Sequence, residues 1–432
     1  MTQTGIDFEF KSTQVRPGIT LLHHRSSKWK TEVMKLVFLG DLRQNLAERA
    51  LGAYLLRHGH GKKKGMELVA RFMQDLCGAS LGSFVTKSFG NHLLVLRGST
   101  IAAQYAPGKV DPLALLLGYV SELLSDPYLA RKDFSAEDFQ REKRNLLRAI
   151  ASQADNKGQY ANQRMIETMF PNHPFGQPAF GRPEEVALLE PEGVAQEIRS
   201  LVENQPLMIY VVSPRKTSEL KKILATHLKL GARKEFKANR ITQPPLRRRM
   251  QRVDEYEDLT QGRLAMGYRI EDYKRRSDAH AAILGDMLLG GVSSSRLFRE
   301  VREKRSLAYS VGSGLDASTG VCAVSAGVDP KNVEQVIKLV RAQVKALANE
   351  RFTKDDLQPI FATFRKHFLG LSDSPDGMIN FNLAQVLSGR KESTPSVLLD
   401  RYLRVKPDRI AKVMDRMRLD TIFTLAPSEV TA

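Results

Sequence analysis

The stretch that decides the fold extends from Gly290 to Val311 and has the sequence GGVSSSRLFREVREKRSLAYSV. Its two glycines and three serines are typical of a helix end followed by a tight turn, because both residue types stabilise non-helical backbone. The charged segment Arg299–Arg305 predicts a second, solvated helix, and Leu307–Val311 predicts the start of a strand. Taken alone, these residues predict a helix–turn–helix–strand connection with a charged surface.

An internal repeat with an offset of about half the chain organises the rest of the 432 residues. Phe134–Gln140 (FSAEDFQ) resembles Phe352–Gln358 (FTKDDLQ), and in each copy a hydroxyl residue is followed three positions later by aspartate. This spacing is a variant of the capping box, so each copy predicts the start of a helix.

The elements predicted around the two copies follow the same order. In the first half they are a strand at Thr31–Leu39, a helix at Leu46–Leu56, a β-rich stretch at Leu81–Leu96, a helix at Leu113–Leu124 and a closing strand at Leu207–Val212. In the second half they are a strand at Arg263–Ile270, a helix at Asp278–Leu289, a β-rich stretch at Leu307–Val328 and a helix at Val333–Leu347. We therefore predict an α+β fold of two homologous domains, each an antiparallel sheet with helices packed on one face. The expected domains are 1–233 and 251–432, joined by a polar linker at 234–250 that contains Pro244 and Pro245.

The composition indicates a globular chain without a membrane span. Hydrophobic residues make up 42% and charged residues 26% of the sequence, and no run of about 18 apolar residues occurs. The first eleven residues lack the apolar core of a signal peptide, so we expect a cytoplasmic protein. The only cysteines, Cys77 and Cys322, provide neither a disulfide framework nor a cysteine-based zinc motif.

The net charge of +18 is spread over separate basic clusters without interleaved aromatic residues. This distribution favours a basic wall that faces a peptide or an acidic partner over a nucleic-acid-binding surface. A basic nucleic-acid-associated protein stays as an alternative, which a salt-dependent shift with RNA or DNA would support. The clusters are Lys62–Lys64, Arg141–Arg148, Arg247–Arg249 and Lys274–Arg276.

The stretch Gly290–Val311 closely resembles the second-domain signature of pitrilysin/insulinase-type metallopeptidases of the short, two-domain branch. That signature is Gly-Gly-x-x-Ser-Ser-Arg-Leu-Phe followed by Arg-Glu-Lys-Arg-x-Leu-Ala-Tyr-Ser-Val. The resemblance implies that Arg302 holds the substrate backbone and that Tyr309 donates a hydrogen bond to the developing oxyanion. Further similar segments are Gly78–Ser80, Asp138–Lys143, Pro206–Ser213 and Gln261–Leu264.

The zinc motif of active members is degenerate in this chain. Active members carry His-x-x-Glu-His on the helix after the first strand, where the histidines bind zinc and the glutamate activates water. The resemblance places Tyr54 at the first ligand and Arg57 at the general base, and only His58 is retained. The downstream glutamate ligand falls on Arg148 or Ala149, which do not bind zinc. The resemblance therefore implies that this chain has no catalytic residues of its own and binds no metal.

His58 and His60 together do not restore a metal site. Residues two positions apart do not share a helix face, so we expect both histidines to be structural or to lie at the surface.

Loss of the metal residues with retention of Arg302 and Tyr309 resembles the zinc-less subunit of heterodimeric members of the family. We expect a subunit that is inactive alone and that binds peptide substrate for a zinc-carrying paralogous partner, with zinc in the partner only. One alternative is a structural or scaffold subunit without a proteolytic role, although a scaffold need not keep Arg302 and Tyr309. The sequence also leaves open a homodimer of the isolated chain.

Overall fold

The computed structural model describes residues 6–61, 65–125, 135–237, 241–349, 352–390 and 394–428. The basic cluster Lys62–Lys64, Phe134 of the repeat and linker residues 238–240 lie outside these ranges. Within them, no helix is both long and apolar enough to cross a membrane.

Two β-sheets form the framework, one from each half of the chain. The first half contributes β1 (Lys11–Arg16), β2 (Ile19–Arg25), β3 (Thr31–Asp41), β4 (Ser80–Ser88), β5 (Asn91–Ile101) and β6 (Leu207–Ser213). The second half contributes β7 (Gln251–Glu257), β8 (Gly262–Ile270), β9 (Ala308–Asp316), β10 (Val321–Val328) and β11 (Met417–Pro427).

The strand orders of the two sheets match. The first sheet has the order β1-β2-β6-β3-β5-β4 and the second has the order β7-β11-β8-β10-β9, so the sheets correspond strand by strand apart from β1. The predicted fold class is confirmed, with one refinement: each mostly antiparallel sheet contains one parallel pair, β2 with β6 and β11 with β7. The domain boundaries at 233 and 251 stay a prediction.

The helices of the first half are α1 (Leu46–Leu55), α2 (Met66–Asp75), α3 (Pro112–Ser125), α4 (Ala136–Asp155), α5 (Lys157–Met169), α6 (Pro183–Ala187), α7 (Pro191–Asn204) and α8 (Thr217–His227). Those of the second half are α9 (Arg275–Asp286), α10 (Val333–Asn349), α11 (Gln358–Leu371), α12 (Pro375–Leu387), α13 (Pro395–Leu403) and α14 (Pro407–Met414). The 3₁₀ turns are Leu56–His58, Ala103–Tyr105, Pro107–Lys109, Pro174–Gly176, Pro330–Asn332 and Asp355–Leu357.

The helix starts predicted from the repeat are present. The Ser135 hydroxyl accepts a hydrogen bond of 3.0 Å from the backbone N–H of Asp138 at the start of α4. In the second copy the carboxylate of Asp356 accepts one of 2.7 Å from the N–H of Thr353, and a 3₁₀ turn precedes α11. Both contacts satisfy or organise backbone groups at a helix start, where N–H groups have no intrahelical partner.

Each sheet is also covered by a helix from the other half of the chain. Helix α5 places Met165 and Met169 against the second sheet, where a Cβ on Gly267 would lie 2.1 Å from the Met169 side chain. Helix α12 reciprocally places Met378 and Ile379 in the apolar cluster on the first sheet. Each sheet therefore has helices on a second face as well as on the predicted one. This exchange of helices packs the two halves together.

His92 makes the stability of the first sheet sensitive to acid. Its side chain is buried between the carbonyl of Ala179, which accepts from Nε2 at 2.8 Å, and the guanidinium of Arg49, which lies 3.4 Å from Nδ1. Burial, reinforced by the charge of Arg49, lowers the pKa of His92 from 6.5 to about 3. The unfolded chain therefore binds this proton more readily between those pH values, and the stabilisation is complete only above pH 6.5.

We expect the free energy of unfolding to fall by about 3 kcal/mol through His92 alone as the pH is lowered from 6.5 to 4. Urea denaturation at a series of pH values measures this loss. A His92→Gln chain should show a flatter pH profile, whereas His367→Gln, on the exposed side of α11, should keep the wild-type slope. Equal slopes for all three chains would contradict the assignment.

Candidate functional site

The glycine-rich turn of the second half is fitted closely against strand β9. Helix α9 continues into a π-helical turn at Met287–Gly291, and a second π-helical segment covers Phe298–Glu303. Such turns are rare and often occur at functional sites. A Cβ on Gly290 would lie 2.5 Å from the backbone nitrogen of Ser313, so only glycine allows this approach to β9.

Asp286, at the end of α9, connects the same turn to the sheet. Its buried carboxylate accepts hydrogen bonds from the N–H of Leu315 at 3.2 Å and from the Cys322 thiol at 3.5 Å. Burial raises the pKa of Asp286 above its ordinary value. These contacts join the turn to the strand that carries Tyr309.

Arg302 and Tyr309 lie side by side on the surface of the second half. The guanidinium carbon of Arg302 is 5.8 Å from the centre of the Tyr309 ring and 4.9 Å from that of Phe298. The buried neighbours Val301 and Ala308 hold the segment in place, whereas Tyr309 remains 76% exposed. The pair thus presents a guanidinium and a phenol to solvent, and both are donors suited to peptide carbonyl groups.

The first-half positions of the metal motif are occupied by a stacked pair. The guanidinium of Arg57 lies 4.5 Å from the centre of the Tyr54 ring. It also donates to the carbonyl of Ser83 on β4, with Nη2 at 2.7 Å and Nε at 3.3 Å. The fixed guanidinium of Arg57 repels a metal ion electrostatically.

His58 is bound by a neighbour that sequence reasoning missed. Its Nε2 donates to the buried carboxylate of Glu142 at 2.9 Å, and Asp138 lies 3.7 Å from Nδ1. Arg141 lies 3.4 Å from Nδ1 and pairs with both carboxylates, so a guanidinium partly compensates their charge. The available signal was the spacing of Asp138 and Glu142, four residues apart on one helix face.

The described residues do not form a metal site. No group of three or more His, Cys, Asp or Glu side chains within them could hold an ion. Arg148 is exposed and Ala149 is half-buried on α4. His60 packs its ring 4.9 Å from that of Tyr119, which fits a structural role. The residues present therefore do not suit zinc.

His58 should contribute to stability rather than to metal binding. A His58→Ala chain leaves Glu142 buried with weaker partners, and we expect a loss of about 1–3 kcal/mol in the free energy of unfolding. Urea denaturation measures the loss, and Glu142→Gln, which retains hydrogen-bonding groups, should lose less. A fall in the melting temperature of the wild-type chain on adding EDTA would contradict this role.

A separate cavity of about 850 Å³ lies between the two halves. Phe89, Phe175, Tyr273 and the linker residues 241–246 line it. Its volume suits a small ligand, but neither Arg302 and Tyr309 nor the first-half motif positions contribute to its wall. We therefore do not include it in the candidate site.

The fold and these two sets of residues resemble those of two-domain, peptidase-like proteins of the M16 (pitrilysin/insulinase) type. Residues 204–361 match the family model described as peptidase M16 inactive domain. The resemblance predicted from the sequence is thereby confirmed, and the comparisons support a non-catalytic, peptidase-like protein.

Among particular relatives, the chain is 27% identical over 421 residues to a probable inactive metalloprotease, YmfF, of Bacillus subtilis, covering 95% of this chain and 96% of that protein. It is 25% identical over 368 residues to an uncharacterized zinc protease of Streptomyces coelicolor, covering 83% of this chain and 76% of that protein. The crystal structure of a conserved protein from Enterococcus faecalis V583 has the same fold, with a TM-score of 0.90, 24% identity and coverage of 97% of this chain and 99% of that one.

Proposed function

We propose that this chain is the non-catalytic, zinc-less subunit of a cytoplasmic, heterodimeric zinc-dependent endopeptidase. It binds the peptide substrate and supplies Arg302 and Tyr309 in trans to a partner that carries the zinc. The partner is a paralogous chain with an intact His-x-x-Glu-His motif.

The observation that carries this proposal is the contrast between the two sets of site residues. Arg302 and Tyr309 are adjacent, exposed and oriented by a closely fitted turn. In contrast, the Arg57 guanidinium contacts the Tyr54 ring and donates a hydrogen bond to the carbonyl of Ser83. A chain that keeps substrate donors without a metal site is suited to complete an active site that begins on another chain.

The proposed chemistry divides between the two chains. In the partner, the histidines of the His-x-x-Glu-His motif would hold the zinc, which would supply an activated water. Arg302 donates to carbonyl oxygens of the bound peptide and fixes its backbone, since a guanidinium offers several donors in a rigid geometry. Tyr309 donates its phenolic O–H to the scissile carbonyl oxygen as that oxygen gains negative charge, which favours the transition state over the ground state.

A mixing assay tests the proposal. The isolated chain should cleave no peptide from a quenched-fluorescence library, and its zinc-carrying paralogue from the same host should be weakly active alone. Combining the two should raise the rate by at least about 100-fold, the contribution expected of one oxyanion donor.

The control separates the proposal from the scaffold alternative. Sedimentation of the mixture reports whether the two chains associate, and that of the isolated chain reports whether it forms a homodimer. A stable complex without a gain in activity would favour a scaffold. Peptide cleavage by the isolated chain that EDTA abolishes would show that it has a metal centre of its own.

A further inference from the structure

Three polar side chains converge on one face of strand β10, beside the strand that carries Tyr309. A Cβ on Gly327 of β10 would lie 2.5 Å from Nη1 of Arg263. The same point would be 3.0 Å from the hydroxyl oxygen of Ser310 and 3.1 Å from the amide oxygen of Gln261. Because glycine leaves this space empty, a guanidinium, a hydroxyl and an amide meet directly above its backbone.

This polar cluster of Gln261, Arg263 and Ser310 is open to solvent. Arg263, Gly327 and Ser310 are direct partners across β8, β10 and β9, and β9 is an edge strand of the sheet. Ser310 is exposed, and Gln261 and Arg263 are partly exposed. Two residues along β10, Ser325 forms a hydrogen bond of 2.8 Å with α5, so the cluster lies beside this helix. A peptide can therefore reach the cluster from the edge of the sheet.

A β-bulge lies where Tyr309 joins the cluster. In β9, Ala308 pairs with Val328 and Ser310 pairs with Gly327, so Tyr309 is the extra residue of the bulge. Ala308 is buried in the apolar core of the second half, whereas Ser310 lies on the opposite face of the sheet. Bulges redirect side chains on edge strands and are common next to active sites. Since consecutive residues are about 3.8 Å apart, a peptide that contacts Tyr309 also lies close to the cluster.

Arg263 has hydrogen-bonding capacity that the chain itself does not use. Its Nε is buried and has no hydrogen-bond partner. Within the described ranges, its guanidinium takes part in no ion pair. A buried donor without an acceptor is costly and rare in folded proteins, so this arginine calls for a ligand that supplies the acceptor.

The carboxylates near the cluster have their own cations. Glu255, on the same sheet face and two strands from Arg263, is one of three such groups. Asp258, in the turn before β8, is exposed and forms no ion pair with Arg263 in the described part of the chain. The three engaged pairs are Glu255 with Arg164, Glu257 with Lys157, and Asp329 with Lys331. The positive charge of Arg263 therefore has no counter-charge among the described residues.

We propose that Arg263, together with Ser310 and Gln261, binds a carboxylate of the peptide substrate next to Tyr309. This inference rests on the proposed function, since it takes the ligand to be the peptide that Tyr309 contacts. A guanidinium binds a carboxylate through parallel N–H groups, and a hydroxyl and an amide can donate to its remaining lone pairs. The carboxylate belongs to an acidic side chain or to the free C-terminus of the peptide, and both present the same planar pair of oxygens.

Fluorescence anisotropy with the full, isolated chain tests the inference without the partner. The probes are three labelled peptides of one alanine-rich sequence. The first has a central glutamate and an amidated C-terminus, the second a central glutamine and an amidated C-terminus, and the third a central glutamine and a free C-terminus. We expect the first or the third to bind about fivefold more tightly than the second, as for one charge-assisted contact at a partly exposed site. The tighter of the two identifies the source of the carboxylate.

Two substitutions assign this preference to the cluster. Arg263→Gln should bind the three peptides with affinities within about twofold of one another, because it removes the charge that selects a carboxylate. Its melting temperature should stay unchanged, since this arginine has no partner to lose. Gly327→Ala alters no charge, but its added methyl group would displace the end of the Arg263 side chain and should also reduce the preference.

The matched control is Arg365→Gln, which removes one exposed charge from α11 in the second half and should keep the wild-type preference. Equal binding of the three peptides by the wild-type chain, or binding of none, would overturn the proposal. A preference that survives in Arg263→Gln, or that is lost equally in the control, would do the same. If Arg263→Gln instead weakens sedimentation of the two chains as a complex and leaves peptide binding unchanged, the guanidinium pairs with the partner and the carboxylate site is wrong.

The two proposals fail in different experiments. A working mixing assay without a carboxylate preference would reject this site alone. A carboxylate preference that depends on Arg263, combined with a failed mixing assay, would reject the heterodimer proposal and leave a peptide-binding chain.

Discussion

Replacing Tyr309 with phenylalanine should lower kcat of the reconstituted pair by about 100-fold and leave KM nearly unchanged. The substitution removes only the phenolic oxygen, and the ring beside Arg302 is kept. If the hydroxyl donates chiefly to the developing oxyanion, its loss raises the barrier without weakening ground-state binding. Steady-state kinetics on a single fluorogenic peptide, with the variant chain in excess over its partner, measures both constants.

Tyr256 provides the matched control for this substitution. It is 68% exposed on β7, compared with 76% for Tyr309 on β9, so both tyrosines are exposed on edge strands of the same sheet. Tyr256→Phe should leave kcat within about twofold of wild type, the range expected for an exposed site without a role in the reaction. If Tyr309→Phe is equally mild, Tyr309 does not stabilise the transition state and complementation in trans is wrong.

The local part of the fold could be predicted because local chemistry determines it. Ser135 and Asp111 each accept a hydrogen bond from the backbone N–H three residues later, and helices start after both. The exchange of α5 and α12 between the halves could not be predicted, since it depends on contacts between residues far apart in sequence.

In the candidate site, too, contacts between residues close in sequence could be predicted and contacts between distant residues could not. Arg302 and Tyr309 are seven residues apart, and a short turn folds them together, so their proximity follows from the segment itself. The contact of His58 with Glu142 joins residues 84 positions apart, and the only local signal for it was the four-residue spacing of Asp138 and Glu142. The contact between Arg57 and Tyr54 also does not follow from the motif, which identifies these positions only as a lost base and a lost ligand.

Replacing Asp376 with alanine should destabilise the protein by about 3 kcal/mol, because it leaves a buried lysine without its counter-charge. Asp376 lies in the first turn of α12 and accepts hydrogen bonds from Arg97, while Lys35 of β3 lies 2.8 Å away. Burial alone would raise the pKa of Asp376, but the contacts with Arg97 and Lys35 outweigh it and lower the pKa. Lys35 is only 5% exposed, and its remaining partner is the neutral side chain of Asn380 at 2.9 Å.

A neighbouring pair on the same side of the interface is the control for this prediction. Lys28 and Asp373 also join the two halves, but their side chains are 50% and 73% exposed. Asp373→Ala should therefore cost less than about 1 kcal/mol in urea denaturation, the range for a solvated ion pair. Changing Lys35 to methionine in the Asp376→Ala chain should recover much of the loss, since it removes the uncompensated charge and fills the space with apolar atoms. Similar losses for Asp373→Ala and Asp376→Ala would mean that burial of Lys35 does not determine how firmly α12 binds the first sheet.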